Sequence, residues 1–468
     1  MKNVYNKISK YFPIAFMCLF MLILYVILLL KSQDNDMFFE IMSGRDIING
    51  NFHTVSHLNN FPIVVQQWLY AVCLAIADRF GTVGDVLFVL IQNIILYFVS
   101  ATFIMIKTHD KKKAFIGSIV AILICSDYMV NIRPQIITVI CLLSQLIFIE
   151  LYKKKKSIKY LLPIFPILIL SANMHQAVFL YHGLVMVPYF YKKEKPFLDW
   201  TLICFTPLFM ACSLLTPYGI DGSLYIVKTF TSNAFNVISI NELLPISIKD
   251  YAGVKLTLII GFTIYYIYKH KSNYFVNYYV FTIAILALLN FRHISILFIP
   301  VVFLICCVDE FHKLNNTFMY GCISLICVAV SFLYIKFTDD IKYNYGNVAD
   351  AIEDKNAPIY NVAMDLGGWL EYNGCTKIKI DSRCEAFSEE ISGVPHILED
   401  YFALSQGYWA ESDGGYSLVT DDEVLALVDD YTYVVAKKNQ YVNRTMDRNT
   451  DTWTLIFDDN KYTVYQHN

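Results

Sequence analysis

Charge is what this sequence has least of. Only 16% of its 468 residues are Asp, Glu, Lys or Arg, while 56% are hydrophobic and the mean hydropathy is +0.46. Soluble domains carry roughly a quarter charged residues, which excludes a chain that lives in water. A basic surplus is missing too: 37 Lys and Arg stand against 40 Asp and Glu, a net charge of -3. Once the loop lysines are assigned no basic surface is left, so a nucleic-acid partner is excluded. Paired CxxC units are absent, which argues against a zinc site. Most of the 12 cysteines (Cys18, Cys73, Cys125, Cys141, Cys204, Cys306, Cys307) sit in apolar runs as small buried hydrophobes. No phosphate-binding glycine loop, soluble nucleotide-sugar domain or internal repeat is evident.

What is there arrives in apolar blocks near membrane-spanning length. The first, from roughly Phe12 to Leu30, follows Lys2, Lys7 and Lys10 and lacks a small-residue cleavage site, so it reads as a retained span. Basic residues concentrate in cytoplasmic loops. With Lys111–Lys113, Lys153–Lys156, Lys192–Lys195 and Lys269–Lys271 all on that side, spans fall near 12–30, 83–107, 114–130, 135–151, 158–173, 177–191, 198–215, 253–269, 274–291, 294–308 and 317–336. The expectation is a mainly α-helical polytopic protein of about eleven transmembrane helices in the cell membrane, its N-terminus cytoplasmic and its C-terminus outside. Residues 63–80, apolar but holding Gln66-Gln67-Trp68 and Asp78-Arg79, would invert every later loop as a full span. They are expected as an interfacial or re-entrant helix.

That topology gathers polar residues on the outer side. The first outer loop, 32–62, presents Asp34-Asn35-Asp36, and the segment after it mixes apolar residues with Glu40, Arg45 and Asp46, as an amphipathic helix on the membrane would. Later outer turns supply Asn131-Ile132-Arg133-Pro134-Gln135, Asn173-Met174-His175-Gln176, Thr216-Pro217-Tyr218-Gly219, Asn241-Glu242 and Asn290-Phe291-Arg292-His293. For any single loop, an interfacial anchor or helix cap is the competing reading. Yet Arg133, His175, Arg292 and His293 recur on one side while the other side shows mostly lysines. Ionisable groups at such depth are costly and mark functional sites. Arginine offers a fork matched to phosphate oxygens, and a neighbouring carboxylate can act as a base toward a hydroxyl.

The run Asp34-Asn35-Asp36-Met37-Phe38-Phe39, then Gly44-Arg45-Asp46-Ile47 and Gly50, resembles the first outer loop of bacterial GT-C type membrane glycosyltransferases. In particular it resembles a group reading "DPDLWWHLATGR", then "EWL". Arg133-Pro134-Gln135, Asn173-Met174-His175, Thr216-Pro217-Tyr218-Gly219 and Arg292-His293 match in order, and Leu366-Gly367-Gly368-Trp369-Leu370 with Asp381-Ser382-Arg383 resembles "WGGYL…DGR". Two departures stand out: Gln66-Gln67-Trp68-Leu69 where relatives show "HEWL", and Ser382 where they show glycine. The resemblance implies a polyprenyl-phosphate-linked sugar donor, an acceptor (glycan, lipid or protein) on the outer face, and an acid of the first outer loop as base. Carried over, that acid is Asp36, with Asp34 its competitor. Arg292 with His293 or Arg133 would hold the phosphate, and His175, Tyr218 and Glu242 complete the expected substrate-binding set. No cofactor is required, although Asp34, Asp36 and Glu242 could hold a hard cation. A flippase of lipid-linked sugars and a non-catalytic GT-C-like assembly subunit are the competing functions.

From about Thr338 the texture turns to acids, glycine and asparagine. A small extracytoplasmic α/β domain is expected over 338–468, after a transmembrane domain over 1–337. Strands are expected at 377–380, 431–435, 453–457 and 462–465, helices near 361–372 and 397–404, and a helix capped by Thr420. Cys375 and Cys384 could pair, and Asp381 with Arg383 reads equally as a structural ion pair.

Overall fold

The computed structural model describes residues 22, 36–52, 64–129, 131–191, 198–231, 246–247, 251–269, 274–289, 291–308, 345, 347–410 and 416–468. The expected first span (all but Leu22) and the eleventh, 317–336, lie outside them, as do the side chains of Asp34, Glu242 and Arg292. The chain packs as two compact units: residues 1–33, 77–217 and 241–342, and residues 34–76, 218–240 and 343–468.

The first unit is helical. Its main helices are Thr82–Thr108, Lys111–Ile124, Gln135–Lys155, Ile164–Met174, Trp200–Ala211, Tyr251–Lys269, Tyr274–Leu289 and Phe298–Cys307. Asp110 starts the second by accepting the backbone N–H groups of Lys112 (2.9 Å) and Lys113 (3.1 Å). Among the described residues, Thr82–Thr108 and Gln135–Lys155 are long and apolar enough to cross a bilayer unaided, while the other apolar helices are shorter. The expected span 177–191 is not one helix but three short pieces, Gln176–Val178, Leu180–Leu184 and Val187–Tyr189. Gly183 and Pro188 both disfavour an unbroken ladder there.

Bonds between helix ends fix the ends of this bundle. Lys107 pairs with Glu150, Lys113 Nζ donates to the Cys306 carbonyl (3.3 Å), Lys153 Nζ to Asp199 Oδ2 (2.7 Å) and Lys154 Nζ to the Ile106 carbonyl (2.8 Å). Lys107, Lys113, Lys153 and Lys154 thus share one end. At the other, Thr138 is bonded to His175, Asn173 to Leu215 and Gln176 to Ser213.

The second unit is α/β. Four strands, β1 (Ile359–Asn361), β4 (Tyr433–Lys437), β5 (Trp453–Asp458) and β6 (Tyr462–His467), form a sheet in the order β1-β4-β6-β5, with β1 parallel to β4 and the other pairings antiparallel. β2 (Tyr408–Ala410) and β3 (Tyr416–Leu418) make a separate hairpin. The expected strand 377–380 is only a single bridge, Ile359 to Ile378. The expected Thr420 cap is present: Thr420 Oγ1 accepts the Glu423 N–H (3.3 Å), and Glu423 accepts the Thr420 N–H (2.8 Å). Helix Tyr441–Arg448 was not expected; Val442 and Met446 insert into the core beside Trp453 and Tyr465.

The sequence groups the first outer loop with the membrane domain, whereas packing joins it to the tail. The helix Asp36–Ile48 buries Met37, Phe38, Phe39, Glu40, Ile41, Ser43, Gly44 and Ile47, so it is not a one-sided surface helix. Two glycine contacts account for its fit. A Cβ on Gly44 would lie 2.1 Å from the Ala71 carbonyl oxygen, and one on Gly368 would lie 2.8 Å from the Phe39 nitrogen. The helix Trp68–Asp78 that meets Gly44 has 11 residues, about 16 Å of rise, too short for a bilayer core of about 30 Å.

Gly368→Ala should therefore lower the melting temperature of the purified protein, by the equivalent of about 1–3 kcal/mol for an overpacked contact. Gly261, with open space where its Cβ would be, serves as the control. Thermal unfolding of both variants checks this, and equal melting points would remove the close-packing account.

Candidate functional site

The loop helix begins at Asp36, half-buried and in its first turn, the end of a helix dipole that favours a carboxylate. One turn on, buried Glu40 accepts a hydrogen bond from Gln67 Nε2 at 2.6 Å. This accounts for the missing "HEWL" glutamate: a second carboxylate at 67 would face Glu40, whereas an amide can donate to it. Tyr218, of the expected substrate-binding set, donates its hydroxyl to the Phe52 carbonyl (3.0 Å), and its ring packs beside Phe52, which also meets Trp68. It secures the chain leaving the loop helix.

The same helix also meets the tail. Asp381 accepts both Nε (3.0 Å) and Nη2 of Arg383, and the Arg383 backbone N–H at 2.8 Å. The remaining arm, Nη1, donates to Ser43 Oγ at 3.2 Å, and the guanidinium lies 5.2 Å from the centre of the Phe39 ring. Glu371 Oε1 stands 3.8 Å from Nη2. All four polar side chains are buried. Beside them Phe38, Tyr345, Trp369 and Tyr372 form an aromatic stack, with Arg45 4.9 Å above the Tyr372 ring. Asp381–Arg383 is thus an ion pair, but one aimed at another segment of the chain. Cys375 is a free, buried thiol whose pKa burial pushes up to about 11, and the side chain of Cys384 lies outside the described residues.

Two buried carboxylates share one guanidinium, and Asp381 takes its fork. Burial works against the arginine's charge, yet Asp381 outweighs it and raises the Arg383 pKa. Glu371 is the surplus acid: burial pushes its carboxyl up to about 8, against the opposing pull of Arg383.

At the other end of the helical unit, His175 is buried and its Nδ1 lies 2.8 Å from Thr138 Oγ1. Asn173 Nδ2 donates to the Leu215 carbonyl (2.9 Å) and Gln176 Nε2 to that of Ser213 (3.0 Å), satisfying carbonyls left open where the helix Trp200–Ala211 and its last turn finish. His293 Nδ1 bonds the Tyr181 hydroxyl. Arg133 is half-buried in the turn before Gln135–Lys155. The structure thus brings His175 to the turn after Arg133 and ties His293 to Tyr181. Among the described residues no three His, Cys, Asp or Glu side chains converge on a metal position.

Sequence reasoning missed His182. It is buried between Gln145 Oε1 (2.6 Å from Nδ1) and Ser171 Oγ (2.7 Å from Nε2), and Gln145 Nε2 donates to the His182 carbonyl (3.1 Å). An amide oxygen only accepts, so Nδ1 carries the proton and Nε2 accepts from Ser171. Nothing in the spacing of Gln145, Ser171 and His182 signals this network.

No family profile and no curated protein sequence matches this chain. Its fold does have solved counterparts. ArnT from Cupriavidus metallidurans, bound to undecaprenyl phosphate, superposes with a TM-score of 0.61 at 11% identity, covering 97% of this chain and 98% of that one. The chain has the GT-C fold. The Archaeoglobus fulgidus oligosaccharyltransferase, tethered to an acceptor peptide containing the NVT sequon, gives a TM-score of 0.56 at 10% identity over 92% of this chain and 70% of that one. The expected GT-C architecture is thereby met on nearly the whole chain, membrane helices and small sheet domain together.

The Glu371 shift sets a pH dependence. A carboxyl whose pKa rises from 4.5 unfolded to about 8 folded contributes stability fully present below about pH 4.5 and lost as pH rises through about 8. Glu371→Gln keeps the neutral shape, so its melting temperature should fall less over that window than that of the unaltered protein. Thermal unfolding from pH 4.5 to 9 measures this, and parallel slopes for the two proteins would contradict it.

Proposed function

We propose that this protein is a membrane glycosyltransferase that moves a sugar from a polyprenyl-phosphate donor to an acceptor hydroxyl on the outer face of the membrane. The observation carrying this reading is end-to-end fold agreement with a GT-C protein that binds undecaprenyl phosphate. In the reaction the acceptor oxygen forms a bond to the anomeric carbon, the bond from that carbon to the phosphate oxygen breaks, and the phosphate departs with the electron pair. The acceptor proton goes to the base. Positive charge builds at the anomeric centre as in glycoside hydrolysis.

Asp36 is the proposed base: it opens the loop helix, and its carboxylate needs no metal to accept a proton. Asp34, outside the described residues, is its competitor. Arg292, Arg133 and His293 are the proposed phosphate ligands, with His175 and Glu242 supporting substrate binding. Arginine suits the role because its fork pairs two phosphate oxygens at once. The orientation proposed with it places the lysine-rich end of the helical unit in the cytoplasm, as the charge bias demands.

Purified protein should release or transfer sugar from at least one member of a panel of undecaprenyl-phosphate hexoses and pentoses. Asp36→Asn should slow that by at least about a hundredfold, the scale of a lost general base. Near-normal turnover in folded Asp36→Asn protein would transfer the role to Asp34, and inertness toward the whole panel would favour a flippase or assembly subunit. Arg292→Lys keeps the charge without the fork, so binding of undecaprenyl phosphate should weaken while the melting temperature holds. The reverse pattern would make Arg292 scaffold.

A further inference from the structure

We propose that Arg383, a residue of the soluble tail, is a positioning residue for the reaction, orienting through Ser43 and Phe39 the helix that carries Asp36. The inference rests on the function proposed above and adds a role for the tail's Gly-Gly-Trp and Asp-Ser-Arg segments. Asp36, Phe39 and Ser43 stand at i, i+3 and i+7, so all three lie on one stripe of the helix. Seven residues bring an ideal helix back to within about 20° of the same azimuth. Whatever grips Ser43 therefore sets the direction in which Asp36 leaves the helix, about 10 Å away along the axis.

The grip is well defined. Asp381 holds Nε and Nη2 and is itself tied to the Arg383 backbone N–H, so the guanidinium plane is fixed before it meets the helix. Nη1 then reaches Ser43 Oγ at 3.2 Å while the face of the group lies against Phe39. Gly367 admits Asp381 at this distance, since a Cβ there would fall 2.5 Å from the Asp381 Cα. Gly368 admits the helix backbone at Phe39 in the same way. A bare ion pair would need none of this directional hardware.

The test uses Ser43→Ala, which removes the directional bond and leaves the Asp381–Arg383 pair intact, with Ser43→Thr as the hydroxyl-retaining rescue. Arg383→Lys is the second arm, because lysine keeps charge but cannot hold Asp381 by two nitrogens and reach Ser43 with a third. Cleavage of the best undecaprenyl-phosphate sugar of the panel is followed for kcat and KM, with melting temperature on the same samples. For Ser43→Ala and Arg383→Lys we expect kcat to fall about tenfold or more, the scale of a sub-ångström misplacement. KM for the lipid donor should change less than about twofold on the same reasoning, because the loss is confined to the orientation of the acid. Ser43→Thr should restore kcat. Unchanged kcat in folded Ser43→Ala and Arg383→Lys proteins overturns the proposal while leaving Asp36 as base. Active Asp36→Asn protein overturns it together with the base assignment, and a loss confined to melting temperature reduces Arg383 to scaffold.

Discussion

Arg383 is buried, and a buried guanidinium dictates its surroundings. Breaking such a pair by removing one partner costs about 3–5 kcal/mol, because the charge left behind has no water to turn to. Asp381 must therefore be close, and the backbone on either side must let it be close. Gly367 does that by carrying no Cβ where Asp381 sits. With two arms of the fork committed, the third needs an acceptor, and Ser43 of the loop helix supplies one. The first outer loop and the tail, some 340 residues apart in the chain, become one packed unit as a consequence.

A different constraint governs the helical unit. Inside an apolar bundle every polar group has to find a partner in the protein, because lipid offers none. Lys107 meets Glu150, whose Oε1 also accepts from the Tyr189 hydroxyl, and its ammonium lies over the Phe275 ring at 4.5 Å. Gln145, Ser171 and His182 close on one another with both ring nitrogens engaged. These pairings fix neighbouring segments in register, which apolar packing alone does not specify, and they leave the turns at the other end to be shaped by Asn173, His175 and Gln176.

Sequence made the class of molecule legible because hydropathy and lysine placement act locally, and Thr420 with Glu423 announced its helix for the same reason. The membrane segments were legible as blocks but not as helices: 177–191 has span length, yet Gly183 and Pro188 break it into turns. In the tail, Lys377-Ile378-Lys379-Ile380 alternates like a strand but makes a single bridge, on the edge of β1 that faces away from β4. The helix Tyr441–Arg448 has polar outer residues that hid the two apolar side chains, Val442 and Met446, by which it packs.

The loop residues show why ordered motifs say more about architecture than about chemistry. Tyr218 and Asn173 belong to the motifs that carried the GT-C resemblance, and each is bonded to a backbone carbonyl of a neighbouring segment. Gln67 departs from the pattern, yet its amide meets Glu40, which itself stands where the relatives' pattern has histidine, so the buried pair still holds one carboxylate and one donor. A motif position can thus change its residue without losing its structural task, provided the partner's hydrogen-bonding demand is still met. Asp36 stands in the first turn of the helix that Phe39, Glu40, Ser43 and Gly44 fasten to neighbouring segments. Those contacts all lie within about two to three turns of it, so the scaffold sets the direction in which its carboxylate leaves the helix.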